Sequence, residues 1–501
     1  MLGSPFIRMA RNIRNRGVSA FCRVLVAFFR LRKPATPVAL ERFAIGFGSR
    51  CRMAGAMHRA PTRLAGRYAL LQTALTSNGS AAGPKAIAII KPCCLGDVLM
   101  ATAALRSLRQ SFPGARIDFF VGDWSKQVLI GNPHADNIVS CGRVGSGSYS
   151  LAEYFHLVRQ LRQGAYDACF VLERSAFITS LPFLAGIPVR IGLDSEGRGF
   201  SLGVRVPVDR PKHEAELYLD TLRAVGVNPV DPRLEFFPLP GDDEAAISLL
   251  KDAGLELAGG GRFHLSRSLR LRRGETDTRH LSRSLRLRRG ETDTRHLSRS
   301  LRLRRSETDT RQTCPCHSPM LVAIHPAGGV NPGMDLLAKR WPAERFGAIG
   351  DRLAREYRAT VLIVGAAADA PLAEAMVQSM REPAINLAGK TGFGELAAIF
   401  RRCDLFVGND TGPMHLAVAM ETPIVAIFGP SDERMYGPYT DNASVVTSDV
   451  PCRPCFKKGS ANPCNEYRCV LNVTVEQVWQ AVQGRLAANG FAPALESERS
   501  S

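Results

Sequence analysis

Three places in this 501-residue chain carry side chains whose types and spacing could do chemistry. The first is Asp410-Thr411-Gly412-Pro413-Met414-His415, which follows the apolar run Leu405 to Val407. The run reads as a buried strand and Gly408 as the residue that allows a sharp turn. Asp410 or Thr411 then caps a helix with Pro413 in its first turn. A strand feeding a helix N-terminus makes an anion seat, because unpaired amides and the helix dipole point at the same spot. A phosphate or pyrophosphate fits that seat; an ordinary capped helix in a parallel sheet is the competing reading. Gly412 has no side chain to block an approaching ligand, Thr411 offers a hydroxyl, and His415 lies one turn on. Asp410 would repel a diphosphate, so it is expected to bond loop amides or to hold a cation.

The second place is Gly96-Asp97, where the strand Ala86 to Lys91 turns into a helix. A carboxylate there is kept ionised by the helix dipole, as a carboxylate base must be. A plain N-cap aspartate is the alternative. The third is Lys339-Arg340-Trp341-Pro342, just before a helix that starts at Ala343. Lys339 is a mobile point charge that could reach a diphosphate; a solvated basic turn is the bland reading. The small-residue loop His325-Pro326-Ala327-Gly328-Gly329 precedes it and would let backbone approach a ligand closely. Asp369, just past another strand, could accept from ribose hydroxyls.

Two further patterns are weighed and treated differently. Cys452, Cys455, Cys464 and Cys469 form a C-x2-C…C-x4-C set. Four thiolates at these spacings could hold a structural zinc, and packed thiols or an occasional disulfide are the other readings. Gly389-Lys390-Thr391 imitates a P-loop, but Ala384 stands where the earlier glycine is required. No G-x-G-x-x-G opens either half of the chain after its first strand.

The elements that must position these groups alternate. Strands are expected at Ala86–Lys91, Arg116–Val121 and Ala168–Leu172, with helices at Gly96–Phe112, Leu151–Arg162 and His213–Val225. A second series starts with the strand Leu321–His325, the helix Ala343–Tyr357 and the strand Thr360–Gly365. It continues with the helix Pro371–Met380, the strand Ile385–Leu387 and the helix Phe393–Arg402. The Leu405 strand and its helix follow, then the strand Pro423–Phe428 and a last helix at Val475–Leu486. Strand and helix in alternation imply α/β layers with parallel sheets. The expected boundaries are 1–84 for a basic extension and linker, 85–245 for one sheet domain, 246–319 for a linker, 320–488 for the second domain and 489–501 for a disordered tail.

Composition narrows the class. An apolar content of 45% marks a globular chain rather than a disordered one, and its length allows two or three domains. The net charge of +19 is partly local. A 16-residue unit starting at His264 recurs from His280 and His296, and each copy carries five Arg against two acids. The three copies hold nine of the nineteen charges, so no general nucleic-acid surface is implied. The repeat is too polar to build a solenoid core and reads as an insertion in the linker. The 13 cysteines are scattered, which suits a reducing compartment better than a disulfide scaffold. Residues 1–34 carry eight Arg or Lys and no acid, and the apolar run Val18 to Phe29 is broken by Arg23. That pattern is too short and too charged to span a bilayer and suits a helix lying on an anionic membrane surface.

Two blocks carry a resemblance. "IAIIKPCCLGDVLMATAALRSLRQSFPGARIDFFVG" (87–122) and "FVGNDTGPMHLAVAMETPIVAIFGPSD" (406–432) resemble the two signatures of glycosyltransferase family 9, the ADP-heptose:lipopolysaccharide heptosyltransferases, in the right order. The resemblance spans about residues 85–245 and 320–485. It implies the GT-B architecture, two facing Rossmann-like domains with a cleft between them. It also implies inverting transfer of heptose from a nucleotide-sugar donor, ADP-heptose, to a lipid-linked oligosaccharide acceptor on the cytoplasmic face of the inner membrane. By the same resemblance Asp97 is the base, and Lys339, Asp410, Thr411, Gly412, His415, Asp369 and Thr391 bind the donor, Thr391 near the adenine. No cofactor is required, a divalent cation such as Mg has a place at the seat, and the tail of the chain packs back onto the first domain. The gap Val330–Ala338 before the lysine motif is longer than the family pattern. A relative using another nucleotide sugar, and a nucleotide-binding protein that has lost turnover, are the alternatives.

Overall fold

The apolar runs fold as two parallel sheets with the same connectivity. The computed structural model describes residues 83–145, 149–208, 211–257, 263–265, 320–328, 330–331, 334–456, 464 and 466–494. The first sheet contains β1 (Ala86–Ile90), β2 (Arg116–Val121), β3 (Asn137–Ser140), β4 (Ala168–Val171), β5 (Val189–Asp194) and β6 (Val204–Pro207). Its order is β3-β2-β1-β4-β5-β6, every pair parallel. Between the strands run α1 (Leu95–Ser111), α2 (Leu151–Gln163) and α3 (Ala176–Leu184), and α4 (Glu214–Arg223) and α5 (Pro240–Asp252) follow β6. All five residues of β1 are buried, which is why the strand reads as an unbroken apolar run.

The chain from Ile247 to Pro319 is a unit of its own, and within it β7 (Leu255–Leu257) pairs antiparallel with β8 (Phe263–Leu265). His264 and Leu265 open the first copy of the repeat; the rest of the repeat lies outside the described residues. So do the basic residues 1–34 and the last seven residues.

The second sheet contains β9 (Leu321–His325), β12 (Thr360–Ile363), β13 (Ala384–Asn386), β14 (Leu405–Asn409), β15 (Ile424–Phe428) and β16 (Ala443–Thr447). Its order, β13-β12-β9-β14-β15-β16, repeats the first sheet's, again all parallel. A small hairpin, β10 (Val330–Asn331) with β11 (Met334–Asp335), interrupts the way from β9 to α6 (Ala343–Tyr357). The remaining helices are α7 (Ala370–Ser379), α8 (Phe393–Phe400), α9 (Gly412–Ala419), α10 (Glu433–Tyr436), α11 (Arg468–Leu471) and α12 (Val475–Ala488). Both sheets belong to one compact unit. This is the doubly wound order, whose switch point opens a crevice at the carboxyl ends of two adjacent central strands. Two such sheets make the GT-B architecture.

Within the two parallel sheets, the strands that sequence reading misses are β3, β5, β6 and β16. Three of them are edges, half-exposed and without a continuous apolar run. The fourth, β5, is interrupted by Arg190, whose guanidinium bonds the carbonyls of Ile187, Pro188 and Ser201. The missed helix α3 carries Pro182 in its interior, a residue that argues against helix. One expectation fails. The tail helix α12 does not return to the first domain: Val478, Trp479, Val482 and Leu486 pack with Phe346, Leu353, Val361 and Val425 in the core of the second sheet. Among the described residues no helix is long and apolar enough to cross a membrane.

Candidate functional site

At the switch point of the first sheet, the residues just past β1 and β4 lie side by side. Lys91 follows β1 directly and is fully buried. Its Nζ lies 2.7 Å from Glu173 Oε2 and 3.2 Å from Asp97 Oδ2. Asp97 is the third residue of α1 and 8% exposed. The N-cap position belongs to Cys94, which makes no side-chain cap, so Asp97 is not the capping aspartate that its sequence position also allowed. Cys93 and Cys94 are joined to each other as a disulfide, which the sequence reading did not expect. The link joins neighbours and therefore crosslinks no elements. Beyond Glu173, Arg174 is ion-paired to Glu214 of α4, and the Tyr218 hydroxyl donates to the same carboxylate at 3.0 Å.

At the switch point of the second sheet, β14 runs into α9. Thr411 holds the N-cap position, but its hydroxyl bonds the Asn409 carbonyl rather than capping the helix. The helix N-terminus therefore keeps amides for a ligand. Gly408 sits inside β14 rather than in a turn; a Cβ there would meet the Phe406 ring at 2.7 Å. The lysine expected at this seat arrives. The β10–β11 hairpin takes up the extra residues after β9, and a 3₁₀ turn at Leu337–Lys339 brings Lys339 Nζ to 2.6 Å from Asp410 Oδ2. Asp410 thus holds a cation, the Lys339 ammonium, rather than loop amides. Lys339 also lies over the Phe456 ring, 5.0 Å from its centroid.

Asn409, which the sequence reading passed over, ties this corner together. Its carbonyl oxygen accepts from the Trp341 amide at 3.2 Å and its amide donates to the Ala327 carbonyl at 3.0 Å. The β9 loop is drawn in close: with φ at +139°, a Cβ on Gly328 would stand 2.2 Å from Thr411 Cγ2. His325 is 2% exposed and bridges Thr411 Oγ1 at 3.5 Å and Asp369 Oδ2 at 3.6 Å. Burial works against the Asp369 carboxylate, but the bond and charge of His325 and the Ala366 amide outweigh it and hold its pKa below the usual carboxylate value. His415 is 4% exposed and its Nδ1 has no hydrogen-bond partner among the described residues. Burial lowers its pKa to about 4, so the ring is neutral at pH 7.

The two corners open into one cleft of about 560 Å³, within the size range of small-molecule sites. From the first half come Cys94, Leu95, Gly96, Asp97, Met100, Trp124 and Gln127. From the second come Lys339, Asp369, Thr391, Asp410, Thr411, Gly412 and His415. Every donor-site candidate thus lines the cleft that Asp97 lines. Gly412 differs in its role: its open side faces Leu95 of α1, whose Cβ would lie 3.2 Å from an added Cβ. Sequence reading missed Lys91, Glu173 and Asn409. A lysine closing an otherwise apolar strand was the available signal for the first.

The four cysteines of the C-x2-C…C-x4-C set lie near one another. Cys452 is exposed, Cys455 and Cys464 are half-buried and Cys469 is buried, all as free thiols. Burial and then the neighbouring thiols push Cys469 up to about 11. Among the described residues no three His, Cys, Asp or Glu side chains form a metal-ligand group.

Known proteins are similar to this chain in sequence and in fold. The family model of glycosyltransferase family 9 (heptosyltransferase) matches residues 261–465. Lipooligosaccharide heptosyltransferase 2 of Haemophilus influenzae is 26% identical over 365 residues, covering 72% of this chain and 88% of the relative. The crystal structure of a family 9 glycosyltransferase from Veillonella parvula superposes with a TM-score of 0.57 at 22% identity, over 81% of this chain and 97% of the other. The structure of E. coli ADP-heptose LPS heptosyltransferase II gives a TM-score of 0.54 at 20% identity, over 80% and 99%. At these identities the two structures bear on the fold alone, and both share it. With the sequence match over residues 261–465 added to two doubly wound sheets around one cleft, the chain is similar to glycosyltransferase family 9 in sequence and in fold.

Proposed function

We propose that this glycosyltransferase moves heptose from ADP-heptose to a lipopolysaccharide core acceptor, with inversion at the anomeric carbon. The observation that carries the reading is that one cleft presents a carboxylate, Asp97, opposite an anion seat made by the α9 N-terminus and Lys339. Asp97 takes the proton from the acceptor hydroxyl. The freed oxygen lone pair attacks the anomeric carbon, and the bond from that carbon to the diphosphate oxygen breaks. ADP leaves with its charge met by the α9 amides and Lys339. His325 and Asp369 hold the loop beside the seat, and Asp369 is the acceptor for ribose hydroxyls. Thr391, at the rim by Phe393 and Leu396, borders the adenine.

Charge balance explains Asp410. Alone it would repel a diphosphate; paired with Lys339 it fixes the ammonium where the phosphates arrive. The cysteine cluster takes no part in the reaction. The donor is cytosolic and the acceptor is lipid-linked, so the enzyme works at the cytoplasmic surface of the inner membrane, with the basic residues 1–34 as its contact. The deciding experiment incubates the purified chain with ADP-heptose and heptose-deficient lipopolysaccharide. ADP release together with a mass gain of one heptose on the acceptor is the expected result. Turnover only with another nucleotide sugar, or none with any, would replace this reading by one of its two alternatives.

A further inference from the structure

Lys91 poses a physical problem. A lysine with no exposed surface costs several kcal/mol to desolvate unless it is paired, and a sheet interior does not choose it for packing. Here it has two carboxylates, Glu173 at 2.7 Å and Asp97 at 3.2 Å. The topology makes this arrangement: β1 and β4 are parallel neighbours, Ile90 stands opposite Val171, and the Leu172 amide donates to the Ile90 carbonyl. The residues leaving the two strands must therefore meet beside the first turn of α1.

One carboxylate would suffice to pair a lysine at rest. Two are needed if one of them changes charge. Resting on the proposed reaction, we infer that Lys91 is a positioning residue for Asp97, and that Glu173 is the counter-charge that keeps Lys91 paired while Asp97 carries the acceptor proton. Before transfer the ammonium faces two carboxylates. When the acceptor oxygen gives its proton to Asp97 and bonds the anomeric carbon, the diphosphate takes the electron pair of the broken bond, and Lys91 retains its own proton against Glu173. Without Glu173, protonation of Asp97 would strand a buried cation. Without Lys91, two carboxylates would face each other and ionisation of Asp97 would be opposed.

Other ionisable groups bear on the same spot. Glu214 on α4 is neutralised by Arg174. Tyr218 on α4 is held protonated by burial and then by Glu214, Asp97 and Glu173. His415 on α9 is neutral, Asp410 after β14 is paired with Lys339, and Tyr436 at the end of α10 lines the cleft. None of these carries a cation that could replace Lys91 beside Asp97.

The test uses the full chain with Lys91→Met, Lys91→Arg, Glu173→Gln and the Lys91→Met/Glu173→Gln pair, read in two ways. In the transfer assay, Lys91→Met should move the acid limb of kcat/KM to higher pH by about one unit or more, so that activity on that limb falls about tenfold and recovers as pH rises. Glu173→Gln should move the limb the opposite way, because Lys91 then has Asp97 alone, and should lower kcat by weakening the base. The pair should return the limb toward its wild-type position, and Lys91→Arg should hold it there, with KM for the donor little changed throughout. A purely structural lysine would lower activity equally at all pH, with both limbs unmoved, and that result overturns the inference. The second reading needs no substrate. The melting temperature lost by Lys91→Met should be greater at pH 8 than at pH 5, and Glu173→Gln in that background should remove the pH dependence. A pH-independent loss counts against the inference even if transfer is confirmed. A wild type that transfers no heptose while this coupling is present removes the proposed reaction and leaves the charge triad standing.

Discussion

A Cβ added to Gly96 would stand 2.5 Å from Cδ2 of His415, a distance no real contact tolerates. Gly96 opens α1 of the first sheet and His415 belongs to α9 of the second, so the two reactive corners meet where one side chain is missing. Gly412 repeats the relationship from the other side, against Leu95. Gly96→Ala should push α1 from α9, costing about 1–3 kcal/mol of stability as overpacking does. It should also widen the gap between Asp97 and the seat. The expected outcome is a larger loss in kcat than in ADP affinity, checked by transfer kinetics beside calorimetric ADP titration. Equal losses in both would show that the contact serves stability alone.

Asp97→Asn keeps the size of the side chain and removes the proton acceptor. Turnover should fall by about a hundredfold or more, the range for acid–base catalysis, while ADP binds as in the wild type. Wild-type turnover would take Asp97 out of the reaction.

Lys339→Ala removes the ammonium that Asp410 holds at 2.6 Å. ADP should bind more weakly by about 1–3 kcal/mol, and AMP should lose less, since it lacks the second phosphate. Adding Asp410→Asn should recover part of the loss by removing the unpaired carboxylate. Titration of ADP and AMP into the wild type and both variants decides it; identical ADP affinity in all would dismiss the seat.

His415 gives an acid signature. Burial lowers its pKa to about 4 in the fold, below the ordinary value of 6.5 that the unfolded chain shows. Between those values the unfolded chain binds a proton that the fold does not, so stability is complete above 6.5 and is lost as pH falls toward 4. His415→Gln should flatten that acid limb. Melting curves from pH 7.5 to 4 in the wild type and variant measure it, and parallel curves would place the buried ring elsewhere in the acid response.

Trp479 tests the corrected place of the tail helix. It is fully buried, with the Arg352 guanidinium 4.2 Å from its ring centroid and Tyr357 edge-on at 6.1 Å. Trp479→Ala should destabilise the chain by about 3–5 kcal/mol through the cavity it leaves. Calorimetric or chemical unfolding would show it, and a change below about 1 kcal/mol would mean that α12 is peripheral.

The sequence by itself determined the local matters. Runs such as Ile87–Ile90 and Leu405–Val407 are strands because a sheet covered on both faces demands continuous apolar residues. The helix start at Thr411-Gly412-Pro413 is legible because helix starts have their own chemistry. Edge strands β3, β6 and β16 were hidden because a half-exposed strand carries no such run. The partnerships were decided only by tertiary structure. Lys91 lies 82 residues from Glu173, and Lys339 lies 71 from Asp410. Nothing local to either lysine names its carboxylate. The winding of each sheet brings the ends of nonadjacent strands to one switch point, and burial there makes each charge require its partner. Gly412 shows the same limit: its missing side chain was visible in the sequence, but only the packing of α1 on α9 shows that Leu95 fills the space in front of it.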